Sequence, residues 1–216
     1  MSRIRALISA GPTREFFDPV RFISNPSSGR MGYAIAQAAL DAGWAVDLVS
    51  GPVSLPAPAG ATLVPVVSAA DMLEAVQARF DACDVLIMSA AVSDYRPMRR
   101  VEHKVKKAGE RVVAELEPTT DILKTVAARK KPGQYVVGFA AETNDGANYA
   151  LAKMSAKNCD MMVANRVGQP GEGFESERNS VLLLWPDGRR EEIGDSDKRE
   201  IARRIVERIA QRRDTA

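Results

Sequence analysis

The sequence SAGPTREFFDPVRFISNPSSGRMG occupies residues 9–32 and separates the first apolar run of the chain from its first helical pattern. The apolar run predicts a β-strand over residues 4–9, and the pattern after it predicts a helix over residues 29–42. Glycine and small hydroxyl residues at a helix start leave several backbone N–H groups without intrahelical partners, at the positive end of the helix dipole. The stretch therefore predicts a phosphate-binding loop in front of the first helix.

The length of this connection also points to function. Loops of this length inside a compact domain are usually functional or disordered. This one carries large apolar side chains that a disordered linker would lack, at Phe16, Phe17, Val20, Phe22 and Ile23. We therefore expect a folded, functional loop. The bare glycine pattern leaves a second interpretation open, in which Ser27 is an ordinary N-cap and Gly32 a packing glycine.

Strand-like and helix-like patterns alternate along the 216 residues, a length that suits one α/β domain. The alternation predicts a Rossmann-like, doubly wound and mostly parallel sheet in a single domain over residues 1–216. Ligands bind such sheets at the carboxyl ends of the strands, so we expect the loops after the strands to converge on one edge. Beyond the first pair, the predicted strands are 44–50, 62–67, 84–91, 134–140 and 160–164, the helices are 69–81, 121–130, 145–157 and 196–213, and the converging loops are 10–28, 90–97, 140–144 and 165–176.

Two segments break this alternation. Residues 101–117 join a basic run to RVVAELE, whose period-two pattern predicts a strand beside a mobile loop. Residues 179–193 predict a β-hairpin with its turn at Pro186, Asp187 and Gly188. We expect both segments to lie outside the main sheet, with a flexible flap at about residues 97–110 and the hairpin serving dimerisation.

Composition narrows the function classes. The net charge of +2 offers no overall field for nucleic acid. Cys83 and Cys159 form neither a disulfide framework nor a metal-ligand spacing, and His103 is the only histidine, so we expect core thiols in a reducing compartment. No apolar run approaches the ~20 residues of a membrane span, and the N-terminus lacks the apolar region of a signal peptide. We expect a cytoplasmic protein with neither nucleic-acid nor membrane partners.

The motifs GPTRE, DPVRFISN and NPSSGRMGYAIA resemble the signature of the phosphopantothenate–cysteine ligases of coenzyme A biosynthesis. AAVSDYRP, KVKK and VVGFAAET follow in the family's order, so the resemblance covers nearly the whole chain. It implies an enzyme in which the carboxylate of 4'-phosphopantothenate attacks the α-phosphate of CTP, giving an acyl-cytidylate and pyrophosphate. The amine of L-cysteine then displaces CMP.

The same resemblance implies the partners. Mg²⁺ would accompany CTP, held mainly by phosphate oxygens and water, and the sequence leaves its protein ligands unknown. The family is homodimeric, with a site completed by both subunits. Many bacterial relatives carry a phosphopantothenoylcysteine decarboxylase domain upstream, so this chain is either free-standing or a cut domain.

Site residues follow by position. The resemblance implies that Asn25 stabilises the acyl-nucleotide and that Lys104 acts on the bound nucleotide from the flap. Without the resemblance two interpretations of Asn25 stay open, an amide that donates to a developing oxyanion and an Asx turn before Pro26, and Lys104 is interpreted as part of a solvated charge run. The resemblance and the phosphate loop together predict nucleotide contacts at Gly11, Ser27, Ser28, Gly29, Gly32, Asp121, Ile122, Phe139, Lys153 and Lys157, and substrate contacts at Arg21, Ala90, Ala91 and Asp94 beside Asn25.

Other functions remain open at this level. Thr120 departs from the Pro-Asp-Ile-Val motif of the bacterial family, so CTP and ATP are not separated by side chains. Tyr149 and Lys153 have the spacing of the catalytic pair of short-chain dehydrogenases, which would make the chain an NAD(P)-dependent reductase. Against this, the first turn lacks the closely spaced glycines that bind a dinucleotide pyrophosphate. A non-catalytic nucleotide-binding regulator is the third possibility.

Overall fold

The computed structural model of this chain describes residues 3–107, 113–142, 146–166 and 178–213. Its strands and helices alternate over most of that length. In chain order they are β1 (Arg5–Ala10), β2 (Arg14–Phe16), β3 (Phe22–Ser24), α1 (Arg30–Asp41), β4 (Ala45–Ser50), β5 (Thr62–Pro65), α2 (Ala69–Phe80), β6 (Val85–Met88), β7 (Tyr95–Pro97), β8 (Leu116–Pro118), α3 (Ile122–Ala127), β9 (Tyr135–Glu142), α4 (Gly146–Ala156), β10 (Met161–Arg166), β11 (Arg178–Leu184), β12 (Arg190–Asp197) and α5 (Lys198–Arg213).

The central sheet has eight strands in the order β12-β11-β10-β9-β6-β1-β4-β5. Its first six members counted from the β5 edge run parallel, and β11 is antiparallel to both β10 and β12. From β1 the chain moves outward through β4 and β5, then returns to form β6 on the other side of β1. The order therefore reverses between β1 and β6, which is where doubly wound sheets bind ligands. The predicted Rossmann-like fold is confirmed.

Helices cover both faces of the sheet because its central strands are apolar on both sides. In β1, Ala6 and Ile8 pack on the face that carries α1 and α5, whereas Leu7 packs on the face of α2 and α3. All four residues of β6 are buried, as its continuous apolar run predicted. The last helix docks through Ile201, Ile205 and Ile209, each fully buried, as the spacing of one helical stripe requires.

The free thiols belong to this core. Cys83 and Cys159 are both buried, and burial raises the pKa of each to about 12. A thiol with that pKa stays protonated at neutral pH, so neither is a nucleophile. No described helix is long and apolar enough to cross a membrane.

The structure corrects three local expectations. The connection between β1 and α1 is not a plain loop, since β2 and β3 pair within it as an antiparallel ribbon. In the predicted strand RVVAELE, residues 111 and 112 lie outside the described residues, and of the described remainder only Leu116 and Glu117 are strand, in β8, which pairs with β7. The hairpin of β11 and β12 does not lie outside the main sheet; it forms the antiparallel edge of that sheet.

The hairpin joins the sheet because its inner strand is apolar. Val181, Leu183 and Leu184 of β11 are buried, and the strand pairs with β10 along its length. Of the predicted converging loops, residues 143–144 and 167–176 lie outside the described residues.

Close backbone approach at the switch point depends on glycine. A Cβ on Gly51, which follows β4, would overlap the carbonyl oxygen of Pro12. A Cβ on Gly32, in the first turn of α1, would stand 2.5 Å from the Cβ of Ala10 and 2.7 Å from Ser89 Oγ. The β1–α1 connection therefore lies directly against the neighbouring strand ends, and α1 lies against β1.

We expect Gly51→Ala to lower the free energy of unfolding by about 1–3 kcal/mol, because the added methyl group displaces a backbone carbonyl rather than a flexible side chain. Urea denaturation followed by circular dichroism measures it. Gly194→Ala is the control, because a Cβ there meets no described atom within 4 Å, and we expect a change under ~0.5 kcal/mol. Equal effects of the two substitutions would contradict the close approach.

Candidate active site

A cavity of about 380 Å³ opens at the carboxyl edge of the sheet, at the switch point. Its walls come from the start of α1, the loop after β6, the start of α3, the ends of β9 and β10, one face of α4, and the starts of β11 and α5. Parallel strands and the helices that follow them bring these segments together although they are distant in sequence. The cavity is thus the site that the topology itself provides.

The first turn of α1 forms one wall. Its N-cap, Gly29, has a positive φ of 75°, and no side chain in the described part of the chain caps the helix. The Gly29 N–H donates to Ser27 Oγ at 3.3 Å, which closes the turn in front of the helix. Gly29 through Gly32 line the cavity, so the uncapped amide end and the positive dipole face it. This wall favours an anion.

Asn25 joins the two loops that follow β1 and β6. Its side-chain nitrogen donates to Val92 O at 3.0 Å and lies 3.5 Å from Ala91 O. The second distance is long for a hydrogen bond, and the NH₂ group carries two protons. One proton therefore fixes the side chain at the cavity while the other can serve a bound ligand.

A cationic wall lies opposite. Lys153, on α4, and Lys157, directly after the end of α4, line the cavity. Lys157 Nζ pairs with Asp121 Oδ2 at 3.0 Å, and Asp121 Oδ1 accepts the Lys124 N–H at 3.0 Å as the N-cap of α3. The ion pair and the N-cap hydrogen bond together set the positions of Asp121 and Lys157.

Sequence reasoning missed Lys198. It is the first residue of α5, is only 6% exposed, and lines the cavity. Burial, with a smaller contribution from the positive charge of Arg30, lowers its pKa. A lysine before a helical stripe resembles any solvated helix start, so its pattern carried no signal. Its burial arises because α5 begins at the same sheet edge as α1.

Two asparagines accompany Lys198 at this end of the cavity. Asn165, near the end of β10, has a buried Oδ1 with no hydrogen-bond partner among the described residues. Asn179, at the start of β11, is 5% exposed, and its Oδ1 accepts the Ser180 N–H at 2.9 Å. The buried end of the cavity is therefore polar, with one acceptor open to a donor on a ligand.

Most of the predicted site residues meet in this cavity, but four do not line it. Gly11 lies beneath it and accepts the Ala91 N–H at 2.9 Å. Arg21 pairs with Asp18 instead, and Lys104 is exposed. Ser28 sits in the turn without lining the cavity, and the Tyr149 side chain lies outside the described part of the chain. The predicted residues that line it are Asn25, Ser27, Gly29, Gly32, Ala90, Ala91, Asp94, Asp121, Ile122, Phe139, Lys153 and Lys157.

The donor set suits a cation held mainly by a ligand. No group of three or more His, Cys, Asp or Glu side chains is found within the described ranges. The acidic side chains that line the cavity are Asp94 and Asp121, and Asp121 is already engaged by Lys157. One exposed carboxylate beside a phosphate-binding wall fits Mg²⁺, which binds one or two carboxylates plus phosphate oxygens and water.

Comparison with known proteins finds relatives over nearly the whole chain. The family model described as the DNA/pantothenate metabolism flavoprotein C-terminal domain matches residues 1–212. The coenzyme A biosynthesis bifunctional protein CoaBC of Bacillus subtilis is 48% identical over 205 residues, which is 94% of this chain and 50% of that protein. Its counterpart from Escherichia coli is 47% identical over 191 residues, 87% of this chain and 47% of that protein. The chain thus spans about half the length of the curated relatives it matches.

Solved structures show the same fold. The C-terminal domain of a coenzyme A biosynthesis bifunctional protein CoaBC matches with a TM-score of 0.84 at 44% identity, covering 99% of this chain and 97% of that one. A DNA/pantothenate metabolism flavoprotein from Streptococcus pneumoniae matches with a TM-score of 0.84 at 23% identity, covering 96% and 99%.

The cationic wall generates a prediction about anions. We expect inorganic pyrophosphate to bind the cavity. Lys198→Gln should lower the affinity for pyrophosphate about tenfold, because a buried charge-assisted contact is lost. Because its pKa is lowered, Lys198 loses its charge at a lower pH than an ordinary lysine, so part of the affinity should fall with rising pH only when Lys198 is present.

Isothermal titration at neutral and alkaline pH measures both effects. Arg199→Gln is the matched control, because Arg199 is exposed and does not line this cavity. Equal loss of affinity in the two variants would show a general effect of charge rather than a contact by Lys198.

Proposed function

The chain belongs to the DNA/pantothenate metabolism flavoprotein C-terminal domain family, and from this premise we propose that it is a phosphopantothenate–cysteine ligase. The relatives named as coenzyme A biosynthesis bifunctional proteins support this assignment. The observation that carries it is the cavity, which brings together the uncapped start of α1, Lys153 and Lys157 at the C-terminal end of α4, and Asn25 beside the small residues Ala90 and Ala91. A triphosphate and an acid to be activated would both fit such a site.

The first step is activation of the acid. The carboxylate oxygen of 4'-phosphopantothenate attacks the α-phosphorus of CTP, a P–O bond forms, and the bond to the β-phosphate breaks to release pyrophosphate. Amides of the α1 start and the cationic side chains Lys153, Lys157 and Lys198 would stabilise the charge on the leaving group. Mg²⁺, when bound with CTP, would neutralise phosphate charge, with Asp94 as its protein contact.

The second step forms the amide. The amine of L-cysteine attacks the acyl carbon of the acyl-cytidylate, its proton is lost to solvent, and CMP leaves with the bonding electrons. The carbonyl oxygen gains negative charge in this step. The second proton of the Asn25 NH₂ group would donate to it, while the first stays on Val92 O.

The nucleotide base would lie at the start of α3. Asp121 and Ile122 offer backbone groups there, and Phe139 of β9, which is half-buried, also lines the cavity and offers an aromatic ring. CTP is preferred by resemblance, and the side chains do not separate it from ATP. Competition among CTP, ATP, GTP and UTP for the cavity decides it.

Two short antiparallel ribbons lie outside the main sheet, one formed by β2 and β3 and the other by β7 and β8. A second copy of the chain would cover the apolar surface of these two ribbons. The exposed large side chains on these ribbons and beside them are Val20, Phe22, Tyr95, Met98, Val101 and Leu116, and we call them the ribbon surface. An apolar surface of this kind on a folded chain marks an interface. We infer a homodimer through the ribbon surface rather than through the hairpin of β11 and β12.

Arg21 belongs to the ribbon surface region and not to the cavity of its own subunit. The predicted substrate contact of Arg21 therefore requires the site of the partner subunit. A decarboxylase domain on the same or another chain would use the product, as the bifunctional relatives suggest. A cytoplasmic location is a separate prediction.

We expect Asn25→Asp to accumulate acyl-cytidylate and to slow amide formation by roughly 10²–10³-fold, because a carboxylate repels the developing oxyanion. Rapid-quench experiments that measure both pyrophosphate and the amide product separate the two steps. Gln37→Glu, an exposed amide-to-acid change on α1, is the control. Wild-type amide formation by Asn25→Asp would remove Asn25 from the mechanism, and NADPH binding without CTP-dependent pyrophosphate release would favour the reductase.

We expect Met98→Asp with Val20→Asp to convert a dimer into a monomer, because each buries a charge in an apolar interface. Sedimentation equilibrium measures the mass. Leu63→Asp is the matched control, since Leu63 is 42% exposed on β5, away from the ribbons. If the dimer survives the double substitution but dissociates in Leu63→Asp, the interface lies at the β5 edge of the central sheet.

A further inference from the structure

Asp18 is a buried carboxylate that no step of the proposed reaction uses. It lies in the turn between β2 and β3 and is 0% exposed. Its Oδ1 accepts the N–H groups of Val20 and Arg21 at 2.8 and 2.7 Å, which closes the turn around Pro19. Its Oδ2 accepts Arg21 Nε at 2.9 Å and Arg21 Nη2 at 2.5 Å.

The same two side chains hold the flap. The Val105 N–H donates to Asp18 Oδ2 at 3.2 Å, and the Val105 carbonyl accepts Arg21 Nη2 at 2.8 Å. Both backbone groups of Val105 are therefore bound by one ion pair on the β2–β3 turn. Val105 directly follows Lys104, so the ion pair fixes the backbone next to that lysine.

Two further contacts align the flap with the turn. The Val101 N–H donates to Phe17 O at 3.0 Å. The Arg100 guanidinium lies 5.6 Å from the centre of the Phe16 ring. Residues 100–105 thus run beside residues 16–21, and the Asp18–Arg21 pair lies at the end nearest Lys104.

Electrostatics keep the pair charged. Burial raises the pKa of the Asp18 carboxyl, but hydrogen bonds from the Arg21 guanidinium and from the N–H groups of Val20, Arg21 and Val105 outweigh it and hold the pKa well below its usual range. The folded pKa is below the unfolded one, so this interaction is fully present at neutral pH and is lost only as the pH falls through the lowered value. We call the Asp18–Arg21 ion pair and its two hydrogen bonds to the Val105 backbone the clasp. The carboxylate of the clasp stays charged at the pH where the enzyme would work.

We propose that Asp18 is a positioning residue which, through Arg21 and Val105, sets the place of Lys104 for the nucleotide-dependent half-reaction. The inference rests on the proposed function for the role of Lys104, while the clasp itself rests on the geometry alone. Lys104 is exposed and outside the cavity. If the backbone beside Lys104 were not fixed, placing its flexible side chain on the nucleotide would cost conformational entropy at each turnover. The clasp lowers that cost by fixing the neighbouring backbone.

Asp18→Asn tests the clasp without activity. An asparagine nitrogen in place of Oδ2 cannot accept from Arg21 or Val105, whereas Oδ1 can still hold the turn. We expect trypsin cleavage after Lys104 to accelerate about tenfold or more, because a charge-assisted contact to the flap is lost. Asp71→Asn is the matched control, since Asp71 is also a hydrogen-bonded carboxylate with a lowered pKa but caps α2.

The catalytic consequence is tested in a second background. We expect Asp18→Asn to slow pyrophosphate release on the order of 10- to 100-fold and to have no further effect in a Lys104→Gln chain, because the two act as one unit. Val105→Pro removes the Val105 N–H that donates to Asp18 while leaving Asp18 and Arg21 in place, although it also restricts the backbone of residues 104 and 105. It should reproduce the loss if Asp18→Asn fails to fold.

Unchanged trypsin cleavage, or an Asp18→Asn defect that persists undiminished with Lys104→Gln, would overturn the inference. So would a Lys104→Gln chain with unaltered pyrophosphate release. If the unchanged chain releases no pyrophosphate with CTP and 4'-phosphopantothenate, the proposed function fails, and the trypsin contrast separates that result from failure of the clasp.

Discussion

The packing of α1 against the ends of β1 and β6 is the constraint on which the rest of the molecule depends. It is possible only because Gly32 has no side chain, since a Cβ there would stand 2.5 Å from the Cβ of Ala10. This approach brings the uncapped first turn of α1 over the switch point of the sheet. A larger residue would push the helix start away and separate its amides from the loop after β6. Both the anion preference of the cavity and the position of Asn25 follow from that contact.

Sequence predicted the parts of this structure that local patterns encode. The buried run of β6 and the stripe of Ile201, Ile205 and Ile209 are periodicities that a single segment displays by itself. The β11–β12 hairpin was recognised as a hairpin but assigned to the wrong place, because alternation within a strand does not reveal which strand lies beside it. The pairing of β11 with β10 is a long-range contact set by the apolar inner strand.

The site shows the same division. Asn25, Gly29 and Ala90 were predicted because they belong to contiguous motifs with a family resemblance. Lys198 had no such motif, and its burial is a consequence of where α5 begins in three dimensions. Arg21 was assigned to substrate from its motif, whereas its contacts in this chain go to Asp18 and Val105. A motif identifies a residue type at a position, but contacts made across 84 residues of sequence decide what that side chain does here.

The cavity also gathers several cationic side chains at one site. Like charges gathered at one place repel, and burying an ammonium group costs desolvation energy. For two of the lysines the structure shows part of the outcome: Lys157 pairs with Asp121, and burial lowers the pKa of Lys198. An arriving polyanion would replace Asp121 as the partner of Lys157 and restore a favourable environment for the charge of Lys198. On the proposed function, phosphate binding would relieve this cost, and a multiply charged ligand would relieve more of it than a single carboxylate.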